Sequence, residues 1–457
     1  MRAFILAAGK GARVFPYELT RQKAALPVGD TFLARWTVEC LNRAGISDVT
    51  VVLGHLPERV RHALLGLDVR FVNQQGATGT CGAVLDALAA CGDDEPFIVI
   101  YGDCLFDEEG LRGFVDAFQE NRPFAAAALS PLAGRDSLDW LCGSPGGDGQ
   151  LAGISGHPRG GSHRLCGLYG FSPAAVPFIR ANPGFVDSVN VGGMPAHEAE
   201  LAQSVQLMVD AGNSVLAWQH AGLFVDIDKP WHILEANHCF AAYLCGRLTE
   251  DEIAPDARVH DGAEIHGRIR LGSGAVIGNR VVIQGNMIAG AATQIINGAI
   301  LGGNCVLGPK VRCKDYCLVG GNACVGAEAL IGHGAELGGV VFEGAYLYHY
   351  CEMAGVFGAR YDAGAATVCG TLRFDDRETV HTVNGRRETP DKCANVAYFG
   401  DYTRTGVNAM IMPGVKVGAY SCVGPGVIQT DDVDHNTVVL VEQQTVHKRW
   451  GPHKYGW

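Results

Sequence analysis

The sequence predicts two different folds in one chain: an α/β domain with a Rossmann-like, mostly parallel sheet, and then a parallel β-helix built from six-residue repeats. Apolar, strand-like runs alternate with helix-like segments in the first half, which is typical of a parallel α/β sheet. A six-residue apolar period fills the second half, which is typical of a parallel β-helix. Glycine supplies 62 of the 457 residues, about twice its usual share, and this excess needs a structural cause.

The overall composition argues against several classes of protein. The chain has 36 basic and 48 acidic residues, and a net charge of −12 argues against a protein that coats nucleic acid or lies on a membrane surface. No apolar stretch approaches the roughly 18 residues of a membrane span, and the apolar start is interrupted too early for a signal peptide. The 16 cysteines are scattered without metal-ligand spacing, so we expect reduced thiols and a cytoplasmic protein.

The elements of the first half follow one another as short strands and longer helices. The predicted strands are Phe4–Leu6, Val49–Leu53, Val69–Phe71 and Phe97–Tyr101, and the predicted helices are Phe32–Ala44, Pro57–Leu65 and Gly82–Ala90. The pattern persists to about Val225 and is followed by a helix-like stretch, Trp231–Leu244. We therefore expect an α/β domain over residues 1–240 and a linker over 241–252. Sheets of this kind bind ligands at the carboxyl ends of their strands.

The second half repeats an apolar residue every six positions from Ile253 onward. The repeated positions are Ile253, Val259, Ile265, Leu271, Ile277, Ile283, Ala289, Ile295, Leu301, Leu307, Cys313, Val319, Val325, Ile331 and Leu337. Glycine follows nine of these fifteen residues, as tight corners require, whereas it would destabilise a helical repeat. The phase breaks near Glu343 and returns at Phe399. We expect a β-helix over 253–430, an inserted polar loop at about 367–395 and a C-terminal tail over 431–457.

A glycine-rich segment, LAAGKGARVFP (residues 6–16), directly follows the first strand. Gly9 and Gly11 would let main-chain N–H groups surround a phosphate, and Lys10 and Arg13 add positive charge. The segment matches neither the Walker pattern nor the GxGxxG pattern. Taken alone, it could also be a tight turn between a strand and a helix.

Further motifs make this region more specific. The segment around Lys23 reads RQKAALPVG, and NQQGATGTCGAV (73–84), YGDCLFD (101–107) and FVDIDKPWHILEAN (224–237) follow it. Together with LAAGKGARVFP, these motifs resemble the signature of sugar-1-phosphate nucleotidyltransferases. With the hexapeptide half included, the whole chain resembles the bifunctional nucleotidyltransferase/acetyltransferase family, which makes nucleotide-activated N-acetylglucosamine, and its archaeal-type members in particular.

This resemblance implies an Mg²⁺-dependent transfer of a nucleotidyl group from an NTP to a sugar 1-phosphate. Arg13 and Lys23 would hold the phosphates, Asp103 and Asp226 would bind the metal, and Gln74 would read the base. The other residues that would contact the nucleotide are Leu6, Ala7, Ala8, Gly9, Gly11, Gly79, Thr80 and Gly102. On the sugar side the resemblance implies Gly167, Tyr169 and Glu200. The E-K-P and N-x-G-x-Y elements of the family are altered here, so we expect a modified sugar phosphate or another polyol phosphate.

The same resemblance implies a left-handed β-helix, a homotrimer and a second site that would use acetyl-CoA. His349 would be the catalytic base of that site, but the segment YLYHYCEMAGVFGARYDAGAATVCGTLRFDD (346–376) departs from the family's acetyltransferase signature. Two readings of this site therefore stay open, an acyltransferase and a scaffold that has lost or changed the activity.

Two alternatives to a catalytic nucleotidyltransferase also stay open. The first is a non-catalytic regulator whose α/β domain binds a nucleotide sugar. The second is an acyltransferase with a vestigial first domain. Arg13, Lys23, Asp103 and Asp226 favour catalysis, because binding alone needs no metal carboxylates.

Overall fold

The computed structural model describes residues 1–76, 78–134, 140–156, 161–189 and 197–452. The predicted fold class is confirmed: an α/β unit with a Rossmann-like sheet precedes a left-handed parallel β-helix. In the described ranges, no helix has the length and apolar character needed to cross a membrane. All sixteen cysteines are free thiols.

The α/β unit is built on one nine-stranded sheet. The strands of the unit are β1 (Arg2–Ala7), β2 (Pro27–Val28), β3 (Thr31–Phe32), β4 (Val49–Leu53), β5 (Arg70–Asn73), β6 (Phe97–Tyr101), β7 (Cys104–Phe106), β8 (Ala125–Pro131), β9 (Cys142–Pro145), β10 (Leu151–Ser155), β11 (His163–Phe171), β12 (Val215–Gln219) and β13 (Phe224–Asp226). The order along the sheet is β10-β9-β11-β6-β1-β4-β5, and β8 joins β11 to β12. Strands β1, β4, β5 and β6 are parallel, so their carboxyl ends share one edge of the sheet.

In the part of this unit that the structure describes, seven α-helices accompany these strands. They are α1 (Leu33–Arg43), α2 (Pro57–Ala63), α3 (Thr80–Cys91), α4 (Glu108–Asn121), α5 (Val176–Arg180), α6 (Leu201–Asp210) and α7 (Pro230–Gly246). Helix α7 is buried along most of its length and extends to Gly246, so the first residues of the predicted linker at 241–252 are helical. The rest of that linker is short, since the first strand of the β-helix begins at Glu252.

The β-helix is a three-sided prism, and each face is a ladder of short parallel strands. Strands in register lie 18 residues apart, which is three six-residue repeats. The first face contains Glu252–Ile253, Ile269–Leu271, Met287–Ala289, Cys305–Leu307, Cys324–Val325, Ala397–Phe399 and Lys416–Val417. The second contains Arg258–Val259, Val276–Ile277, Gln294–Ile295, Arg312–Cys313, Leu330–Ile331, Tyr346–Leu347, Asp362–Ala363, Arg404–Thr405, Cys422–Val423 and Val438–Val439. The third contains Glu264–Ile265, Val282–Ile283, Ile300–Leu301, Leu318–Val319, Val368–Cys369, Met410–Ile411 and Ile428–Gln429.

The structure explains the loss of phase near Glu343. Two strands, Glu336–Val341 and Glu352–Phe357, run across the corner between the third and first faces. They pair with an offset of 16 residues, so each of these coils lacks two residues at that corner. The break is therefore a shortened corner of a continuous prism, whose interior stays filled by Leu337, Val341 and Phe357.

The predicted inserted loop at 367–395 needs correction at its start and in its content. Its first residues complete the strand Val368–Cys369, which belongs to the prism. The insertion then forms an antiparallel hairpin from His381–Val383 and Arg386–Glu388, called here the inserted hairpin. This hairpin packs against the α/β unit, where His381 lies 5.1 Å from the ring of Trp231 at the start of α7.

Helix α7 covers the first face of the prism. Outward-facing residues of that face, including Ile288, Val306 and Cys324, join the apolar core of the α/β unit. The Cys324 thiol donates to the main-chain carbonyl of Asn237 at 3.5 Å. One hydrophobic core therefore crosses from the α/β unit onto the prism.

Candidate functional site

Four charged side chains meet at the carboxyl edge of the sheet. Lys23 lies in a short 3₁₀ turn after the glycine-rich segment, and its ammonium group is 3.1 Å from Asp103 Oδ2 and 3.3 Å from Asp228 Oδ1. The Arg13 guanidinium is 3.1 Å from the same Asp228 oxygen. The side chain of Lys23 is largely buried, whereas that of Arg13 is about half exposed, at 52%. The cluster therefore places one buried and one exposed cation beside two carboxylates.

Asp226 lies beside Asp103 and completes a pair of carboxylates. Asp103 follows β6, and Asp226 ends β13, which pairs with β7 so that Asp226 lies opposite Cys104. One oxygen of each carboxylate and the Cys104 sulfur lie within 4.8 Å of one another. Burial raises the pKa of the Cys104 thiol, so the thiol stays neutral and the two carboxylates are the hard donors. Magnesium prefers oxygen ligands, and this donor set fits it.

The charges of this cluster perturb one another. Burial, followed by the negative charge of Asp103, raises the pKa of Asp226 to about 7. Burial alone would lower the pKa of Lys23, but Asp103 and Asp228 raise it overall, so Lys23 remains an ammonium ion. Burial would raise the pKa of Asp228, but Lys23 and Arg13 lower it overall. The pair Asp103–Asp226 therefore carries like charges that a bound cation would stabilise.

The glycine-rich segment follows β1 and remains accessible. Leu6 and Ala7 end β1, and Ala8 and Gly9 begin the loop, with open space on the side where a Gly9 side chain would be. Gly11 has a positive φ of 64°, and a Cβ there would lie 3.3 Å from Lys23 Cγ. This conformation favours glycine and lets the loop approach Lys23 closely.

Neighbouring strands bring the other nucleotide-side residues close to this loop. Gly102 donates its N–H to the carbonyl of Leu6 at 2.9 Å, which joins the end of β6 to the end of β1. Gln74 follows β5, and its side-chain amide donates to the carbonyl of Gly79 at 3.1 Å. Gly79 precedes α3 with a φ of 96°, and a Cβ at this position would clash with the backbone of Ala199, whose carbonyl oxygen would be 2.7 Å away. The structure thus links Gln74 to the start of α3.

The residues expected on the sugar side lie close to Thr80 and Tyr101. The Thr80 hydroxyl donates to Glu200 Oε2 at 2.9 Å, and burial raises the pKa of Glu200. Tyr169 is buried in β11, with its ring centroid 5.8 Å from that of Tyr101. Gly167, with a φ of 65°, leaves no room for a Cβ next to the ring of Tyr101. The family's E-K-P element corresponds here to Ser155-Gly156-His157-Pro158, and the last two of these residues lie outside the described ranges.

His349 is far along the chain from this cluster and lies on a corner of the prism. Its side chain is exposed, and its ring centroid is 5.5 Å from that of Tyr348 and 5.6 Å from that of Tyr350. Within the described ranges its side chain forms no hydrogen bond or ion pair. The nucleotide-side residues come together in the α/β unit, and His349 remains separate from them.

The motif analysis did not identify Asp228, although this residue joins both cations of the cluster. The signal was present in FVDIDKP, because residues two apart in an extended segment project to the same side. Lys229 was also missed. It forms an ion pair with Glu388 of the inserted hairpin and lies 3.7 Å from Asp228. No local pattern could show this pair, because the two residues lie 159 positions apart.

Comparisons with known proteins find similarity to nucleotidyltransferases. Residues 3–166 match the family model of the MobA-like NTP transferase domain. The chain is 28% identical over 440 residues to a bifunctional sugar-1-phosphate nucleotidylyltransferase/acetyltransferase of Sulfurisphaera tokodaii, covering 95% of this chain and 98% of the relative. It is 28% identical over 457 residues to the bifunctional protein GlmU of Methanococcus maripaludis, with 98% of each chain covered. A glucose-1-phosphate thymidylyltransferase of Streptomyces antibioticus is 27% identical over 61% of this chain and 75% of its own length.

Proposed function

We propose that the chain transfers a nucleotidyl group from an NTP to a sugar 1-phosphate, and the match of residues 3–166 to the MobA-like NTP transferase domain supports this. The observation that carries this proposal is the cluster of Lys23, Asp103, Asp226 and Asp228 at the carboxyl edge of the sheet. The similarity to sugar-1-phosphate nucleotidyltransferases over nearly the whole chain supports the same reaction.

In this reaction an oxygen of the sugar phosphate attacks the α-phosphorus of the NTP. A new P–O bond forms, the bond between the α- and β-phosphates breaks, and pyrophosphate leaves with the bonding electrons. No proton must be removed from an ionised phosphate, so the site needs positive charge more than a general base. Lys23 supplies a fixed ammonium group, and the exposed Arg13 can turn from Asp228 toward the triphosphate.

We assign Asp103 and Asp226 as the residues that hold Mg²⁺. A bound Mg²⁺ supplies Lewis-acid neutralisation of the phosphate oxygens. The two carboxylates are pre-positioned by β6 and β13, and Ile227 N–H donates to the carbonyl of Asp103 at 2.9 Å, which holds the two segments together. Gln74, Gly79 and Thr80 are the proposed nucleotide contacts, and Gly167, Tyr169 and Glu200 are the proposed sugar contacts.

The test is pyrophosphate release from a panel of NTPs and sugar 1-phosphates. We expect Asp103→Asn to reduce release by about a hundredfold or more, because one carboxylate cannot replace the pair. The matched control is Asp116→Asn, which changes an exposed carboxylate on α4 and should leave release unchanged. Absence of release by the unaltered chain with every pair would instead favour a nucleotide-sugar-binding regulator.

The same panel addresses the identity of the sugar. The altered sugar-side motifs support a modified sugar phosphate or another polyol phosphate, because an unpaired polar group in a buried pocket weakens binding. A clear preference for N-acetylglucosamine 1-phosphate would contradict this part of the proposal.

We propose acyl transfer from acetyl-CoA as a second candidate function, located at the prism. It is favoured by the acetyltransferase named in the Sulfurisphaera relative and by the exposure of His349. Incubation with acetyl-CoA and hexosamine phosphates should release free CoA, and His349→Ala should abolish the release. If His333→Ala, at the same corner of the preceding coil, abolishes it equally, His349 has no specific role. A homotrimer and a cytoplasmic location remain predictions from the sequence.

A further inference from the structure

A cavity lies between helix α7 and the inserted hairpin, and Lys23, Asp103 and Asp226 are not among the residues that line it. Its volume is about 400 Å³, which lies in the range of sites for small organic ligands. Trp140, Trp231, His232 and Glu235 line it from the α/β unit, and Arg387, Glu388, Asp391 and Lys392 line it from the insertion. The α/β unit therefore contributes the aromatic rings, and the insertion contributes the cations together with the carboxylates of Glu388 and Asp391.

The two walls suit different parts of one ligand. The rings of Trp140 and His232 are stacked at 5.9 Å, and Trp231 meets His232 edge-on at 6.0 Å. Arg387 and Lys392 form no ion pair with any residue that the structure describes. The cavity is also lined by His238, whose buried Nε2 has no hydrogen-bond partner in the described ranges. Aromatic faces favour a planar ring, and uncommitted cations favour a phosphate.

The cavity is connected to the nucleotidyl-transfer site by consecutive charged contacts. Glu388 lines the cavity and forms an ion pair with Lys229, whose side chain is almost completely buried. Lys229 lies 3.7 Å from Asp228, and Asp228 lies 3.3 Å from Lys23. A displacement of the inserted hairpin would therefore change the charge around Lys229 and, through Asp228, around Lys23.

We propose that this cavity binds a small phosphorylated ligand with a planar ring, and that its occupancy changes nucleotidyl transfer through the Glu388–Lys229 ion pair. The ring lies against Trp140 and His232, and the phosphate lies between Arg387 and Lys392. Ligand binding in the cavity goes beyond the proposed function and does not depend on it. The effect of the ligand on nucleotidyl transfer rests on the proposed function.

Binding is tested on the full chain by titration calorimetry and tryptophan fluorescence, with AMP and UMP as probes. Ribose 5-phosphate and uridine separate the contributions of the phosphate and the ring. We expect one monophosphate to bind, and Arg387→Ala combined with Lys392→Ala to weaken that binding by about tenfold or more. Arg13→Ala should leave it unchanged. The proposal is overturned if neither monophosphate binds, or if Arg13→Ala removes binding while the double variant retains it.

The effect on transfer is tested by pyrophosphate release with and without the monophosphate that binds. We expect the rate to change about fivefold or more, a usual size of coupling between sites. Arg387→Ala should keep the basal rate and lose the response. Glu388→Gln should lose the response while still binding the probe, and Glu378→Gln, an exposed residue of the insertion, is its control. Binding without any change in rate would contradict the coupling. A chain that releases no pyrophosphate at all would contradict the proposed function. The binding experiment would still show whether the cavity binds a monophosphate.

Discussion

Arg21 is a buried cation at the junction of the α/β unit and the prism. Its guanidinium Nε lies 2.8 Å from Asp401 Oδ2, and its Nη2 lies 2.8 Å from Glu343 Oε1. Asp401 is 1% exposed and also accepts from the Ala359 N–H at 2.8 Å. Removing the cation would leave this carboxylate buried without its counter-charge.

We predict that Arg21→Ala lowers the free energy of unfolding by about 3–5 kcal/mol, the usual cost of breaking a buried ion pair from one side. Arg112→Ala is the contrast, because Arg112 is half exposed and pairs with Glu108 on the surface of α4. That change should cost less than about 1 kcal/mol. Urea titration at constant pH measures both values, and equal losses would contradict the argument.

His381 gives the inserted hairpin a dependence on pH. Burial and the neighbouring Lys416 lower the pKa of His381 to about 4. The Lys416 ammonium is 3.3 Å from Nδ1, and Nε2 is 2.8 Å from the carbonyl of Ala394, so the neutral ring with a proton on Nε2 satisfies both contacts. Asp432, which is 2.7 Å from Lys416, weakens the repulsion only in part.

A folded-state pKa below the unfolded value means that the unfolded chain binds the proton more readily. Stability is therefore lost as the pH falls through about 6.5 toward 4, and it is retained above 6.5. We predict that the free energy of unfolding falls by about 2 kcal/mol more between pH 7 and pH 5 in the unaltered chain than in His381→Gln. Equal pH dependence in the two proteins, measured by urea titration, would contradict this assignment.

At the residue scale, the sequence predicts which side chains form the site better than it predicts the ion pairs that join the site to distant segments. Lys23, Asp103 and Asp226 lie in motifs next to strands, and local spacing is enough to bring them to one edge of the sheet. Asp228 was visible in the same motif but needed the two-residue period of an extended segment. Glu388 and Asp401 depend on contacts between segments more than 150 residues apart, and no local pattern contains that information.

At the scale of elements, the shortened corners of the prism depend on two glycines. Gly339 and Gly355 both have a φ of 141°, and they lie in register in neighbouring strands. A Cβ on Gly355 would overlap with the backbone of Ala397 in the next coil. No side chain can be accommodated unless the ladder moves.

We predict that Gly355→Ala destabilises the prism by about 3 kcal/mol or more, through backbone strain and displacement of the next coil. Gly303→Ala is the matched control, because Gly303 has an ordinary φ and a Cβ there would be 3.7 Å from its nearest neighbour. Thermal unfolding followed by circular dichroism measures both changes. Equal melting temperatures for the two variants would show that the corner can absorb a side chain.

The six-residue repeat predicts the prism because the repeat can be recognised in a short stretch of sequence. The repeat falls out of step where a corner of the prism lacks two residues. The sequence shows a break near Glu343, but it does not show that Leu337 and Val341 remain in the same core. Their continuity depends on the extended path of one strand across two faces. The first repeats differ as well, since Ile253 and Val259 are 45% and 38% exposed at the open end of the prism.

At the scale of the whole molecule, the α/β unit and the prism share one core. Ile288, Val306 and Cys324 of the first face belong to the same apolar cluster as helix α7, and Arg21 adds a buried ion pair. The two parts should therefore unfold together, because separating them would expose apolar surface on both.

We predict a single cooperative transition for the full chain in differential scanning calorimetry. Arg21→Ala should lower its midpoint without splitting it, because the apolar contacts of α7 remain. Two well-separated transitions in the unaltered chain would show that the α/β unit and the prism are independently stable.

The position of α7 also limits how copies of this chain can be arranged around an axis. A bare triangular prism offers three alternative sides, but here one side is permanently occupied by the chain's own helix. Only the remaining two sides, and the edge between them, can meet another subunit. Any closed ring must then carry its α/β units on the periphery, so the carboxylate clusters of the α/β units would be far apart while the prisms meet near the axis.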